Sequence, residues 1–205
     1  IHVGDHGGAF HVLDRFGNPR WSRRLGGPIW STALVDGDGV VVGSDAGELV
    51  AWDPAGAERW RVRVGAEVDT GVRAVPGTGE LRVAAGRSLL AVDRSDGRVR
   101  WRFEAREKIF TTPAVAADGA VVFDAQDDRV YAVEPDGRLR WAHRTGGDVD
   151  GSPVLADDGT VFAGSDDGRV HAIGPRGRPR WSAEVGGYVR APLALAADGA
   201  VLAAV

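Results

Sequence analysis

Apolar residues in this chain fall in short runs, and the runs return in a fixed order. One unit displays the order in full. A run over Asp148–Ala156 stops at Asp157-Asp158-Gly159, and Thr160–Gly164 follows before the break Ser165-Asp166-Asp167-Gly168. Arg169–Ile173 comes next, then Pro175-Arg176-Gly177, and Arg178–Val185 closes the unit before Gly186-Gly187. Runs of this length, rich in β-branched and aromatic residues and bounded by Gly, Asp or Pro, are strand signals. Asp-Gly between them favours tight hairpins, because a type I′ turn needs positive φ. No window has apolar residues spaced at 3.6 over a length that could form a helix. The pattern predicts four antiparallel strands of five to nine residues per unit.

The unit recurs about every 40 residues. Its fullest phrase is Ala91-Val92-Asp93-Arg94-Ser95-Asp96-Gly97-Arg98-Val99-Arg100-Trp101, and shorter copies end at Trp21, Trp60, Trp141 and Trp181. Successive tryptophans are 39, 41, 40 and 40 residues apart. Each follows an arginine (Arg20, Arg59, Arg100, Arg140, Arg180), and each has a glycine four positions earlier (Gly17, Gly56, Gly97, Gly137, Gly177). Four strands at a fixed period of this size are the mark of a β-propeller blade. The expected fold is therefore all-β: a propeller of four-stranded antiparallel blades, about five present, with residues 1–205 as one repeat array. The third unit diverges most, with Gly77-Thr78-Gly79 in place of Asp-Gly and a turn shortened at Ala85-Gly86-Arg87. A WD-type repeat is set aside, since Trp52-Asp53 is its single instance.

Ala91, Asp93, Gly97 and Trp101 match the tryptophan-docking motif Ala-x-Asp-x-x-Thr-Gly-x-x-x-Trp at full spacing, with Asp96 in the threonine place. Through five copies in phase, the whole chain resembles the pyrroloquinoline-quinone-like (PQQ-like) β-propeller repeat family. It is similar in this to the scaffold lipoprotein of the bacterial outer-membrane barrel-assembly machinery and to the propeller of quinoprotein dehydrogenases. The resemblance implies that Trp21, Trp60, Trp101, Trp141 and Trp181 are structural, each filling the gap to a neighbouring blade. An indole can bury roughly 200 Å² in such a contact, while the glycine takes the tight turn and the alanine lets backbones approach. Members of the family close with seven or eight blades. This chain opens and stops in equivalent second strands (Ile1–Gly4 and Ala200–Val205), so an open-arc fragment of such a ring is expected.

Composition changes this picture little. Thirty glycines among 205 residues are about twice the usual share, and they fall at the turns of the repeat. The net charge of −4 is spread along the chain without a basic face, so nucleic acid is not an expected partner. The lack of cysteine removes disulfides and thiolate metal sites. No apolar run approaches the ~18 residues of a membrane span. Arginine outnumbers lysine 24 to 1, Lys108 being the exception, which reads as the codon bias of a GC-rich genome.

Candidate chemistry lies where the chain enters the innermost strand. Nine residues after each docking tryptophan stand Trp30, Asp69, Phe110, Asp150 and Arg190, and seven residues after it Pro28, Glu67, Lys108, Asp148 and Tyr188. These positions differ in every unit while the frame repeats. Both a blade-specific recognition surface and loosely constrained solvated loops would give that. The second-to-third strand turns add Asp5, Asp45, Asp127 and Asp166, an acidic rim that turn propensity explains equally well. Asp36-Gly37-Asp38-Gly39 spaces two carboxylates but lacks the rest of a calcium loop. His2, His6, His11, His143 and His171 follow no ligand spacing, and His11 and His171 hold the strand position of Val50 and Tyr131. There is no Gly-x-Ser-x-Gly elbow and no phosphate loop.

No catalytic, cofactor-binding or metal residue is assigned. The favoured function is a non-catalytic propeller scaffold or binding module, gripping a protein or small polar ligand at one channel face through Trp30, Asp69, Phe110, Asp150 and Arg190. The alternative is the cofactor-holding propeller of a PQQ- and calcium-dependent quinoprotein alcohol or sugar dehydrogenase. There Trp30 would floor the quinone, and Asp69 or Asp150 would be the catalytic carboxylate. Dehydrogenases of that kind carry long excursions between blades and often an adjacent-cysteine disulfide, whereas this chain has compact units and no cysteine. The resemblance implies a location in the periplasm, outside the cell, or anchored to a membrane outside the cytoplasm.

Overall fold

The computed structural model describes all 205 residues, as 21 strands in six sheets without a helix. The first sheet holds β1 (His2–Gly4), β2 (Ala9–Leu13) and β3 (Pro19–Arg24). Four-stranded sheets follow: β4 (Leu34–Asp36), β5 (Gly39–Gly43), β6 (Glu48–Trp52) and β7 (Glu58–Arg63); then β8 (Arg73–Val75), β9 (Glu80–Ala85), β10 (Ser88–Asp93) and β11 (Val99–Glu104). The fourth is β12 (Ala114–Val115), β13 (Val121–Ala125), β14 (Arg129–Val133) and β15 (Leu139–Arg144). The fifth is β16 (Val154–Leu155), β17 (Val161–Ser165), β18 (Arg169–Ile173) and β19 (Pro179–Glu184). The last pair is β20 (Ala194–Leu195) and β21 (Val201–Leu202). Strands adjacent in sequence are adjacent in each sheet, which is the up-and-down order of a propeller blade.

The innermost strands are shorter than their sequence runs predict, two or three residues each. In the fifth blade the reason is visible. The Asp148 carbonyl accepts a hydrogen bond from the Asp166 N–H at 2.8 Å, and Pro153 has no N–H to give to a ladder. The segment between them therefore serves the neighbouring turn rather than the sheet.

The chain divides into two compact units, residues 1–86 with 90–100, and residues 87–89 with 101–205. In the first, β5 and β6 are buried on both faces. Val40, Val42, Val50 and Trp52 join Phe10, Val12 and Trp21 in one cluster. Val41, Leu49 and Ala51 join Trp60, Leu81, Val83 and Leu90 in another. Alternating side chains of one strand thus fill two cores, as a period of 2 requires. In the second unit, Val122, Val130 and Ala132 pack with Val149, Val161 and Ile173 in the same manner.

The repeated phrase closes each outer hairpin. Val12, Ala51, Ala132 and Ala172 pair with Trp21, Trp60, Trp141 and Trp181, and the register slips by one immediately afterwards. Asp14 and Asp53 cap the turn by accepting from two backbone N–H groups each. Asp93 accepts from the Ser95 N–H and hydroxyl and pairs with Arg100. Those contacts, the serine hydroxyl bond first and the arginine next, hold its carboxyl well below the usual range. Four of the five indoles then reach forward along the chain. Trp21 donates to the Pro54 carbonyl, Trp60 to Arg94, Trp101 to Pro135 and Trp141 to Pro175, at 2.8–3.1 Å. A Cβ on Gly97 would lie 2.7 Å from the Trp60 ring, and φ there is +76°, so both space and backbone ask for glycine. Trp60 is buried at 7% exposure. Trp21, Trp101 and Trp141 are half-buried. Trp181, expected to be buried like the rest, is 46% exposed. The blade that follows it contributes only β20 and β21, without the outer hairpin that would receive the ring.

Candidate recognition surface

The connections leaving the first four outer strands run beside the next blade's second-to-third strand turn, and backbone bonds join the two. Pro28 and Glu67 carbonyls accept from Asp45 and Gly86 N–H in the first unit, and Lys108 and Asp148 carbonyls accept from Gln126 and Asp166 in the second. The residue eight after each docking tryptophan anchors this connection from below. Ile29, Val68, Ile109, Val149 and Val189 are all buried, at 0–5% exposure. The sites seven and nine after the tryptophan are therefore held on either side of a fixed hydrophobic peg. An aliphatic residue at this offset in every unit was the sequence signal for the peg.

In the first unit Trp30 is 57% exposed, with the His6 imidazole 4.2 Å from its ring centre. Asp69 is half-buried. In the second unit Phe110 is 42% exposed and lies under the Lys108 ammonium at 4.3 Å. Arg190 grips Asp166 through Nε at 2.9 Å and Nη2 at 2.6 Å, which raises its own pKa. It stands 3.9 Å from Asp150 and 5.0 Å from the centre of the exposed Tyr188 ring. Asp150 also accepts from the Gln126 amide. Asp148, beside them, has its carboxyl pKa raised by burial and then by Asp150, Asp128 and Asp166. The second unit thus gathers Asp150 and Arg190 in one network, while Phe110 pairs with Lys108. Of the two carboxylates, Asp150 is drawn into the loop by the neighbouring Gln126 amide and Arg190 guanidinium.

Two members of the acidic rim, Asp5 and Asp127, are committed to their own turns. Asp5 accepts from the Ala9 N–H and contacts His11. Asp127 accepts from the Tyr131 hydroxyl, and burial followed by that bond pushes the phenol up to about 12. Asp167, a residue the sequence reading passed over, accepts from the Gly146 N–H and lies 2.9 Å from His171 Nε2. His11 and His171 are strand residues whose rings serve these turns.

Residues 45–191 match the family described as outer membrane protein assembly factor BamB. The chain belongs to this PQQ-like propeller family. BamB from Moraxella catarrhalis aligns with a TM-score of 0.82 at 21% identity, over 98% of this chain and 68% of that one, a likeness of fold. The serine/threonine-protein kinase AfsK of Streptomyces griseus is 43% identical over 70 residues, which are 32% of this chain and 9% of the kinase. The chain therefore spans a small part of that relative's length.

Membership raises the question of a quinone and calcium, and the residues present do not fit them. Trp30 has its ring against His6. Asp150 is drawn to Gln126 and Arg190. Asp36 and Asp38 are both turned to Arg94 Nη2, at 2.5 and 3.0 Å. No three His, Asp or Glu side chains are grouped to hold a metal ion.

Proposed function

We propose that the chain is a non-catalytic recognition module, a propeller scaffold that binds a protein or small polar ligand through the loop end of its blades. The observation that carries this reading is the contrast at the peg. A buried aliphatic residue fixes each connection, and the residues on either side of it differ from blade to blade. Exposed Trp30, Phe110, Tyr188 and Arg190 are of the types that most often dominate binding energy. Kinship with an assembly factor described as outer-membrane supports a protein as the partner and a place of work outside the cytoplasm. The test is capture of partners by the full-length protein with and without Trp30→Ala plus Arg190→Ala. Loss of a partner with the fold retained supports the reading. A double mutant that keeps every partner sinks it.

A second reading is favoured by the 43% identity with a stretch of a kinase. In it the propeller is the sensing part of a larger signalling protein, and the same surface takes the signal. Sequencing the gene beyond both ends separates the two: a kinase domain on the same chain selects the second.

A further inference from the structure

We infer that the groove between the fourth and fifth blades, beside Trp141, is a binding site for a small organic cation, a guanidinium or ammonium on a short apolar stem. It lies at the end of the blades opposite the loops discussed above, where the first-to-second strand turns lie.

The molecule carries its own precedent for this occupant. Between the second and third blades, the equivalent groove beside Trp60 is filled by the Arg94 side chain. Its guanidinium meets Asp36 and Asp38 of the first-to-second strand turn. Only 10 Å³ remains, among Leu34, Val41 and Trp52. Arg94 is also the residue whose carbonyl accepts from the Trp60 indole. In the fifth blade the residue in that role is Pro175, whose carbonyl accepts from Trp141 at 3.0 Å. Proline has no side chain long enough to enter the groove, and a cavity of 480 Å³ is left. That is within the range of small-molecule sites.

The lining repeats the chemistry that Arg94 satisfies elsewhere. Val122, Leu155 and Val161 form apolar walls, and Trp141 lines the groove with them. An indole face attracts cations when it is partly desolvated. Asp118, Asp157 and Asp158 supply three carboxylates against one lining guanidinium, Arg140. Arg140 pairs with Asp118 at 2.8 Å, and Arg180, from outside the groove, pairs with Asp158 at 2.5 Å. Asp157, exposed at the rim, has no ion pair. Arg140 is moreover shared with Glu134 at 2.7 Å, so at least one negative charge is in surplus, and a monocation with an apolar body complements it. The groove beside Trp21 is a natural control. Pro54 leaves it open at 350 Å³, but Arg15 and Arg20 line it with Asp14 and with Asp36, already held by Arg94. It has no negative surplus to attract a cation.

The test is titration of n-butylguanidinium into the full-length protein, followed by the indole N–H signals in nuclear magnetic resonance, with n-butylurea as the neutral counterpart. The Trp141 signal should move saturably in the millimolar range while Trp21 stays in place. Butylurea should bind at least about tenfold more weakly, because it lacks the charge. Asp157→Asn should weaken butylguanidinium about threefold or more. Pro175→Arg should abolish binding by placing a tethered guanidinium in the groove, and Pro175→Ala should bind as wild type. Equal binding of butylurea overturns the proposal, as does the absence of saturation. An Asp157→Asn variant that binds like wild type overturns it too, and that exposed change decides the matter even if Pro175→Arg fails to fold.

Discussion

Trp60 and Trp181 end the same phrase, yet one is buried and the other is 46% exposed. Both sit on outer strands, and both face a small residue across the hairpin, Ala51 and Ala172. What differs lies more than thirty residues further on. Trp60 rests on Gly97 and donates to the Arg94 carbonyl, whereas no second hairpin follows Trp181 in this chain. The docking phrase therefore encodes half of a contact. Its glycine receives the preceding indole, and its tryptophan needs the next glycine.

The largest test of that difference is truncation. Trp60→Ala should destabilise by ~3–5 kcal/mol, read by denaturant unfolding, whereas Trp181→Ala should cost no more than ~1 kcal/mol. Equal costs would break the comparison. Gly97→Ala attacks the receiving half and should cost about 2–3 kcal/mol, from positive φ and from crowding the indole. Its effect should largely vanish in a Trp60→Ala background, as a double-mutant cycle would reveal.

A similar contrast exists within the second strands. Gly4, Gly43 and Gly164 each lie against the aliphatic peg, where a Cβ would sit 2.2–2.3 Å from Ile29, Val68 or Val189. Asp124 occupies the corresponding place in the fourth blade. Thr111 bonds to its backbone as Ser31 does to that of Gly43. Its carboxylate is fully buried without a hydrogen-bond partner, and burial raises its pKa well above the ordinary 3.8. The native state then holds this proton more tightly than the unfolded chain. Its contribution to stability is greatest below the unfolded value and declines as pH rises toward the folded one. Asp124→Asn should stabilise by about 1 kcal/mol or more at pH 7, and the gain should shrink toward pH 4 in thermal melts. A gain that is constant with pH would mean the carboxyl titrates normally.

The smallest effect is expected at the loop surface. Trp30→Ala with Arg190→Ala should shift stability by no more than ~1 kcal/mol, because both side chains are largely exposed. Unfolding of the double mutant would place these residues with the docking tryptophans instead.

By itself the sequence determined the blade frame. Period, turn glycines and two-sided apolar runs are local properties, and in a fold built of sequential hairpins local order is also spatial order. The phrase Ala-x-Asp through Trp, the four strands per unit and the positions flanking the peg were legible for that reason. Only the tertiary structure decided what each copy does with its neighbours. It made Trp181 exposed and the turn aspartates partners of His11, Tyr131 and His171. It left Asp124 enclosed and filled one groove with Arg94 while Pro175 opened another. Those outcomes depend on pairs of residues that the repeat separates by tens of positions. A carboxylate or an indole reads the same in sequence whether the facing blade supplies a partner, a glycine or empty space.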